Sequence, residues 1–346
     1  MKKLISLICL VLTFATLFCA CNGEDPIETQ PVTESTAVTT TSVPETTNTP
    51  AQETTKAPTS VEKNTFIDVD GKLSLVSKKL DFMGLPQFTQ GEHLHRYAQG
   101  GVIVGDYAYT CMVTDWYHNG GVYRTCIVKT NLITGKVEAK SESLPIGTSN
   151  DAAYNPDENI IVVTDNGKNG TNKVHIIDAD TLTRKRDISL QGGAQAIAYD
   201  TVNKRYICYK YNGTETVDLY IYNNKFQLLK VIPGMEKMDS PYIGKTTGKA
   251  IKFNWQGIHT DGTYLYVTEW HGGSRYDENV TIEKEVQTKL RIIDLSTGEM
   301  VDRLDLGFKR EPEYIGFRKG KFYVACNNIK WSGMEFYQVT ITTTKN

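Results

Sequence analysis

The chain of 346 residues carries 38 Lys and Arg against 40 Asp and Glu, a formal net charge of −2. Basic residues are interspersed with acidic ones, so the sequence shows no basic patch of the kind that nucleic acids require, and nucleic-acid binding is excluded as an expected function. Of the seven cysteines, three lie within or at the end of the N-terminal apolar run, and Cys111, Cys126, Cys208 and Cys326 have no metal-ligand spacing.

The N-terminus predicts export and lipid anchoring. Two lysines after Met1 precede an apolar run of about 15 residues, too short for a membrane-spanning helix of about 20. The run ends in Ala20-Cys21, which resembles the lipobox of bacterial lipoproteins. The resemblance implies that residues 1–20 are a signal peptide and that Cys21 is lipidated; an ordinary secretory signal with an incidental cysteine is the alternative. We therefore expect a lipoprotein anchored at the outer face of the cell membrane.

Residues 21–63 predict a tether rich in Thr, Pro and Glu. Its few apolar side chains cannot offset an ordering entropy of about 1 to 2 kcal/mol per residue, so we expect it to be disordered. A flexible coil of this length spans about 35 Å. The tether would hold the following domain away from the membrane, where extracellular glycans and small polar solutes are the expected partners.

From residue 64 to residue 346, short runs rich in Val, Ile, Tyr and Thr alternate with polar residues, which predicts strands. One unit occurs five times, at intervals of about 45 to 60 residues, the size of a four-stranded propeller blade. The units open at Gln99, Asp151, Gln195, Gln256 and Glu313. The sequence therefore predicts an all-β fold, a five-bladed β-propeller. A sixth, degenerate blade in residues 234–252 and a β-sandwich are the alternatives.

Later parts of the units predict hairpins with an acidic residue or glycine in the turn. The last unit has no fourth strand of its own, whereas the segment that begins at Phe66 resembles such a hairpin. We expect this N-terminal segment to complete the C-terminal blade and close the ring, with one or two strands contributed.

The residues that open the units predict a polar collar around one end of the central channel, because they share one register. The collar consists of Gln99, Asp151, Gln195, Gln256 and Glu313. These side chains either hydrogen-bond the backbone of neighbouring blades or bind a ligand or a hard cation such as Ca²⁺.

Aromatic side chains in loops and strand starts are expected at the same face. They are Trp116, Tyr117, Trp255, Trp270 and Trp331. Aromatic rings next to Asn, Asp and His are surfaces on which sugars stack; packing between blades is the alternative for each ring.

Carboxylates and histidines at this face are the candidates for catalysis. Asp151, Glu313 and Glu269 are candidates for the acid pair of a glycosidase, and His118 and His271 for a general acid or base. Because three collar residues are glutamine, which cannot exchange a proton, we favour binding over catalysis.

Metal and disulfide chemistry have weaker support. His93 and His95 form an HxH pair without an identifiable third ligand, so no metal or cofactor is expected apart from Ca²⁺ at the collar. Cys111 and Cys126 are expected to be cross-strand neighbours, either as buried thiols or as a disulfide.

As a whole, the lipobox-like Ala20-Cys21, the tether and the repeated unit resemble Gram-positive surface lipoproteins that carry a β-propeller. We expect a membrane-anchored extracellular protein that binds a glycan or another polar solute at the collar. A carbohydrate-active enzyme, either a glycoside hydrolase or a polysaccharide lyase, and a protein-interaction scaffold are the alternatives.

Overall fold

The computed structural model describes eight stretches of the chain. They are residues 66–72, 97–115, 123–165, 172–243, 248–272, 286–307, 310–327 and 334–342. Every regular element within these stretches is a β-strand, and they contain no apolar helix of the length that a bilayer crossing needs.

Twenty of the described strands form five antiparallel sheets of four strands each. Blade 1 contains β2 (Tyr97–Val104), β3 (Tyr107–Asp115), β4 (Arg124–Asn131) and β5 (Val137–Lys140). Blade 2 contains β6 (Ala152–Asn155), β7 (Ile160–Thr164), β8 (Lys173–Asp178) and β9 (Arg184–Ser189). Blade 3 contains β10 (Ala196–Asp200), β11 (Arg205–Asn212), β12 (Thr216–Asn223) and β13 (Leu228–Glu236).

The last two blades differ in how they are completed. Blade 4 contains β16 (Asn254–Thr260), β17 (Tyr264–Gly272), β18 (Val286–Asp294) and β19 (Met300–Asp305). Blade 5 contains β20 (Pro312–Arg318), β21 (Lys321–Asn327), β22 (Met334–Thr342) and, as its outermost strand, β1 (Phe66–Lys72). The first described strand thus pairs antiparallel with the last, and Phe66 lies opposite Thr342.

The five-bladed fold predicted from the repeat is confirmed, and the β-sandwich is wrong. Residues 234–252 do not form a sixth blade either. They contain the end of β13 and a separate two-stranded hairpin of β14 (Asp239–Ile243) and β15 (Ala250–Lys252).

Asparagine and aspartate side chains fix the turns between the third and fourth strands of blades 1 to 4. The repeat predicts the aspartates in these turns but not the asparagines. In blade 2, Asp178 Oδ1 accepts hydrogen bonds from the backbone N–H groups of Asp180 at 3.1 Å and Thr181 at 3.0 Å. The equivalent acceptors in the other three turns are Asn131, Asn223 and Asp294. A short polar side chain that bonds its own backbone favours a turn over a continued strand, so these residues set the strand lengths.

The core consists of five apolar clusters, one at each boundary between neighbouring blades. At the boundary of blades 2 and 3, for example, Ile160 and Val162 pack with Tyr206 and Tyr222. Fully burying such a side chain contributes about 1.5 to 3 kcal/mol. Each blade therefore depends on both of its neighbours, and the ring is stabilised as a closed unit.

Small residues let the inner strands β2, β6, β10, β16 and β20 approach one another around the axis. A Cβ atom at Gly100 would lie 2.4 Å from the backbone of Asn150, and one at Gly257 would lie 2.3 Å from Tyr314 Cα. No side chain fits at these two positions, so the glycines of the repeat are required by the close packing of strands from different blades.

Candidate functional site

The five collar residues lie at the start of the five inner strands, at one end of the ring. Gln99, Gln256 and Glu313 are in β2, β16 and β20, whereas Asp151 and Gln195 directly precede β6 and β10. Asp151 and Glu313 are fully buried, and the three glutamines are partly exposed. The collar therefore consists of buried carboxylates and an accessible set of amides.

Asp151 lies where the inner strands converge. Its Oδ1 accepts a hydrogen bond from the backbone N–H of Ala152 at 2.9 Å. Its Oδ2 accepts the N–H groups of Ile197 at 3.3 Å and Ile258 at 3.2 Å, and Gly101 provides another backbone hydrogen bond. Burial raises the pKa of this carboxyl, while the four amides act in the opposite direction. One side chain thus connects blade 2 to the inner strands of blades 1, 3 and 4.

Glu313 and Asn327 connect blades 5 and 1. Asn327 Nδ2 donates to Glu313 Oε1 and, at 3.0 Å, to the backbone oxygen of Ala98. The Ala98 N–H returns a hydrogen bond to Asn327 Oδ1 at 3.2 Å. Gln99 Nε2 lies 3.4 Å from Glu313 Oε2. Glu313 thus has amide partners on both sides.

The glutamine amides differ in their partners. Gln256 Nε2 donates to Glu311 Oε1 at 3.0 Å, so a carboxylate that the repeat did not single out borders the collar. For Gln195 the described contacts are those of its backbone, with Tyr209 and Thr164. Within the described stretches its side-chain amide makes no hydrogen bond, which leaves it available to a ligand.

The two tryptophans within the described stretches differ in exposure. Trp255 is buried between blades 3 and 4, edge-on to Tyr209 at a centroid distance of 5.4 Å, and Tyr211 donates to its backbone oxygen at 2.5 Å. Its ring is not accessible, so the expectation that Trp255 stacks on a ligand is corrected to packing between blades. Trp270, at the end of β17, is partly exposed.

Seven residues singled out in the sequence lie outside the described residues: Cys21, His93, His95, Trp116, Tyr117, His118 and Trp331. Their assignments stay predictions.

Glu269 is not a free acid at the rim. It is fully buried between two arginines, with Oε1 2.6 Å from Arg291 Nε and Oε2 2.6 Å from Arg303 Nε. Its expected role as an acid catalyst is corrected to that of a paired, buried carboxylate.

His271 is also buried rather than at the rim. Its ring stacks on that of Tyr242 in the β14–β15 hairpin, with centroids 4.7 Å apart, and faces the edge of Phe253. Burial lowers the pKa of this imidazole, which favours its neutral form. The predicted rim histidine is therefore part of the contact between the hairpin and blade 4.

Lys237, Arg291 and Arg303 are functional candidates that sequence reasoning missed. Lys237 is buried, donates to Asn254 Oδ1 at 3.1 Å, and has its pKa lowered by burial. The three cations come from the outer strands and from the linker after β13, where the repeat has no fixed register. The one available signal was the charge in strands β18 and β19, which normally indicates a solvent-exposed face.

The four described cysteines are free thiols and buried. Cys111 lies opposite Ile127 rather than Cys126, and the two cysteines belong to clusters on opposite faces of blade 1. Burial raises the pKa of both thiols. The disulfide alternative is therefore wrong. Among the described residues no group of three His, Cys, Asp or Glu could hold a metal ion.

No protein-family model and no curated protein matches this sequence. Among solved structures, the chain is similar to glutaminyl cyclase of Myxococcus xanthus, at 12% identity and a TM-score of 0.47 over 73% of this chain and 93% of that chain. It is also similar to the propeller domain of Cps50 (Swd1) from Myceliophteria thermophila, at 10% identity and a TM-score of 0.36 over 79% and 100%. The propeller domain of the trilobed protease of Pyrococcus furiosus gives 13% identity and 0.34 over 72% and 86%.

Proposed function

We propose that this protein is an extracellular binding protein that captures a glycan or another polar solute at the collar. The observation that carries the proposal is the set of partly exposed glutamine amides at equivalent positions of three blades: Gln99, Gln195 and Gln256. An amide can donate and accept at once, as sugar hydroxyls require, and a shared register directs the three amides to one end of the axis.

The environment of the acids favours binding over turnover. A glycosidase needs one carboxyl that protonates the leaving oxygen and a second that acts as base or nucleophile. Asp151 is engaged by backbone amides and Glu269 by two arginines. The carboxyl groups that remain for hydrolysis are those of Glu313 and Glu311. Each of them accepts a hydrogen bond from a glutamine amide, which cannot exchange a proton.

The location at the membrane belongs to the same proposal. The signal peptide in residues 1–20, the lipobox-like Cys21 and the Thr/Pro/Glu-rich segment 21–63 support a propeller anchored outside the cell. Membrane-fraction recovery and mass of the mature N-terminus, compared between the native chain and Cys21→Ala, test this part.

Binding is tested with the Gln99→Ala and Gln195→Ala double variant. An array of cell-wall and plant oligosaccharides identifies a bound sugar, and calorimetric titration with that sugar gives its Kd. We expect the double variant to bind about tenfold or more weakly, since each lost hydrogen bond contributes about 0.5 to 1.5 kcal/mol.

Gln227→Ala is the matched control, because Gln227 is an exposed glutamine in the β12–β13 turn, at the opposite end of blade 3. Equal affinities of the double variant and the native chain would contradict binding at the collar. Release of reducing ends from the bound sugar, lost in Glu313→Gln, would replace the binding role by an enzymatic one.

A further inference from the structure

Positively charged side chains are concentrated at the boundary between blades 3 and 4. Lys237, Arg291 and Arg303 surround one carboxylate, that of Glu269; we call these four residues the cationic cluster. Glu269, Arg291 and Lys237 have relative exposures of 0%, 3% and 7%. Arg303 is partly exposed. Buried charges such as those of Arg291 and Lys237 are costly unless each is well paired.

Other nearby carboxylates are shared between the cluster and further lysines. Glu215 lies 3.3 Å from Lys252 and also attracts Lys237, and Asp305 lies 2.6 Å from Lys289 and is also attracted by Arg303. These acids offset part of the positive charge, so the anion site rests on the unused donors of the cluster.

The cationic cluster and the neighbouring Trp255 also have unused hydrogen-bond donors. Within the described stretches, Nη2 of Arg291, Nη2 of Arg303 and Nε1 of Trp255 are buried and have no hydrogen-bond partner. The guanidinium of Arg291 lies over the Trp255 ring, 5.1 Å from its centroid. Its one aligned hydrogen bond is from Nη1 to the backbone oxygen of Glu236 at 2.9 Å. Unpaired buried donors around a positive charge are the complement of an anionic acceptor.

The β14–β15 hairpin covers this region. Its Tyr242 stacks on His271, whose Nδ1 is buried and has no partner in the described part of the chain. Among the described strands the hairpin pairs only with itself. Arg303 is partly exposed, which gives the cluster a contact with solvent.

We propose that the cationic cluster binds the carboxylate of an acidic saccharide, with Arg291, Arg303 and Lys237 as its binding groups. A carboxylate offers two oxygens in a plane that matches a guanidinium. The cluster is connected to the collar through β16, because Arg291 lies over the ring of Trp255 and Trp255 directly precedes Gln256. The saccharide part of this inference rests on the proposed function, whereas the anion site stands on the contacts of the cluster itself.

The test uses two ligands that differ only in charge, trigalacturonate and its fully methyl-esterified form. Titration calorimetry of the full chain gives both affinities. We expect trigalacturonate to bind at least about tenfold more tightly than the ester, with an affinity that falls as salt concentration rises.

The variants are Arg303→Met and Lys237→Met. Each leaves Glu269 paired with Arg291, so the folded blades are expected to persist, which circular dichroism and a thermal melt check. Both variants should lose about tenfold in affinity for trigalacturonate and keep their affinity for the ester. Lys230→Met is the control, since this exposed lysine on β13 lies outside the cluster and contacts the backbone of Ser296.

The outcomes separate the two proposals. Equal binding of ester and acid, or unchanged acid binding in both cluster variants, overturns the anion site while leaving the collar untouched. Acid binding that depends on the cluster, but not on Gln99 and Gln195, supports the anion site and contradicts the collar. Absence of binding by either ligand overturns the acidic saccharide and leaves the collar to the array experiment.

Discussion

At the scale of single residues, register predicts position but not chemical role. Asp151 and Gln195 open equivalent units, and both lie at the same end of the ring. The Asp151 carboxylate receives four backbone N–H groups, whereas the Gln195 amide has no described side-chain partner. The difference follows from the neighbouring strands, which come from blades far away in sequence. A carboxylate at a collar position is therefore, here, a structural link between blades.

Removing this link should destabilise the ring. In Asp151→Ala the N–H groups of Ile197 and Ile258 lose their acceptor, and each unsatisfied buried group costs about 1 to 3 kcal/mol. We expect the free energy of unfolding to fall by about 3 kcal/mol, as measured by urea denaturation. Asp180→Ala makes the same change on an exposed turn and should cost less than about 1 kcal/mol. An Asp151→Ala protein with the same free energy of unfolding as the native chain would contradict the structural role of this carboxylate.

At the scale of elements, the repeated parts were predictable and the inserted part was not. The alternation of Val, Ile and Tyr predicts each inner strand, and Asp178 and Asp294 predict their turns. The β14–β15 hairpin has no equivalent in the other blades, so no repeat could reveal that its Tyr242 covers His271. The cationic cluster escaped detection for the same reason, because its members do not share a register.

The hairpin should be dispensable for folding. The backbone oxygen of Met238 lies 2.9 Å from the N–H donor nitrogen of Phe253, so two glycines can replace residues 239–252 without moving either end. We expect the shortened chain to keep its β-sheet circular dichroism and to melt within about 5 °C of the native chain, since few core contacts are lost. A cooperative loss of the whole β signal would show that the hairpin is part of the ring.

At the scale of the whole molecule, closure of the ring is a separate contribution to stability. Each of the five apolar clusters joins two neighbouring blades, so every blade packs against a blade on each side. Blade 5 is completed by β1, which covers the edge of β22. Sequence predicted that an N-terminal segment would do this, but not whether it would contribute one strand or two. Pairing across the whole length of a chain is decided by geometry that local patterns do not contain.

The contribution of this closure can be measured by comparing chains that begin at residue 64 and at residue 73. The second lacks β1 and leaves the edge of β22 unpaired, which invites association through that edge. We expect its melting midpoint to be about 5 °C lower, the effect of roughly 3 kcal/mol in a domain of this size. A synthetic peptide of residues 64–72 should restore part of the loss. Equal midpoints would mean that the other three strands of blade 5 suffice.

The pairing of Phe66 with Thr342 brings the first and last described strands side by side. A short linker could therefore join them, and the chain could be opened instead at a surface turn between two other blades, with every blade contact retained. Circular permutants of this kind would present the same collar from a different attachment point. The point at which the chain enters the ring is thus independent of the arrangement of the inner strands, so a permuted chain would begin at another blade while Gln99, Gln195 and Gln256 keep their places at the end of the axis.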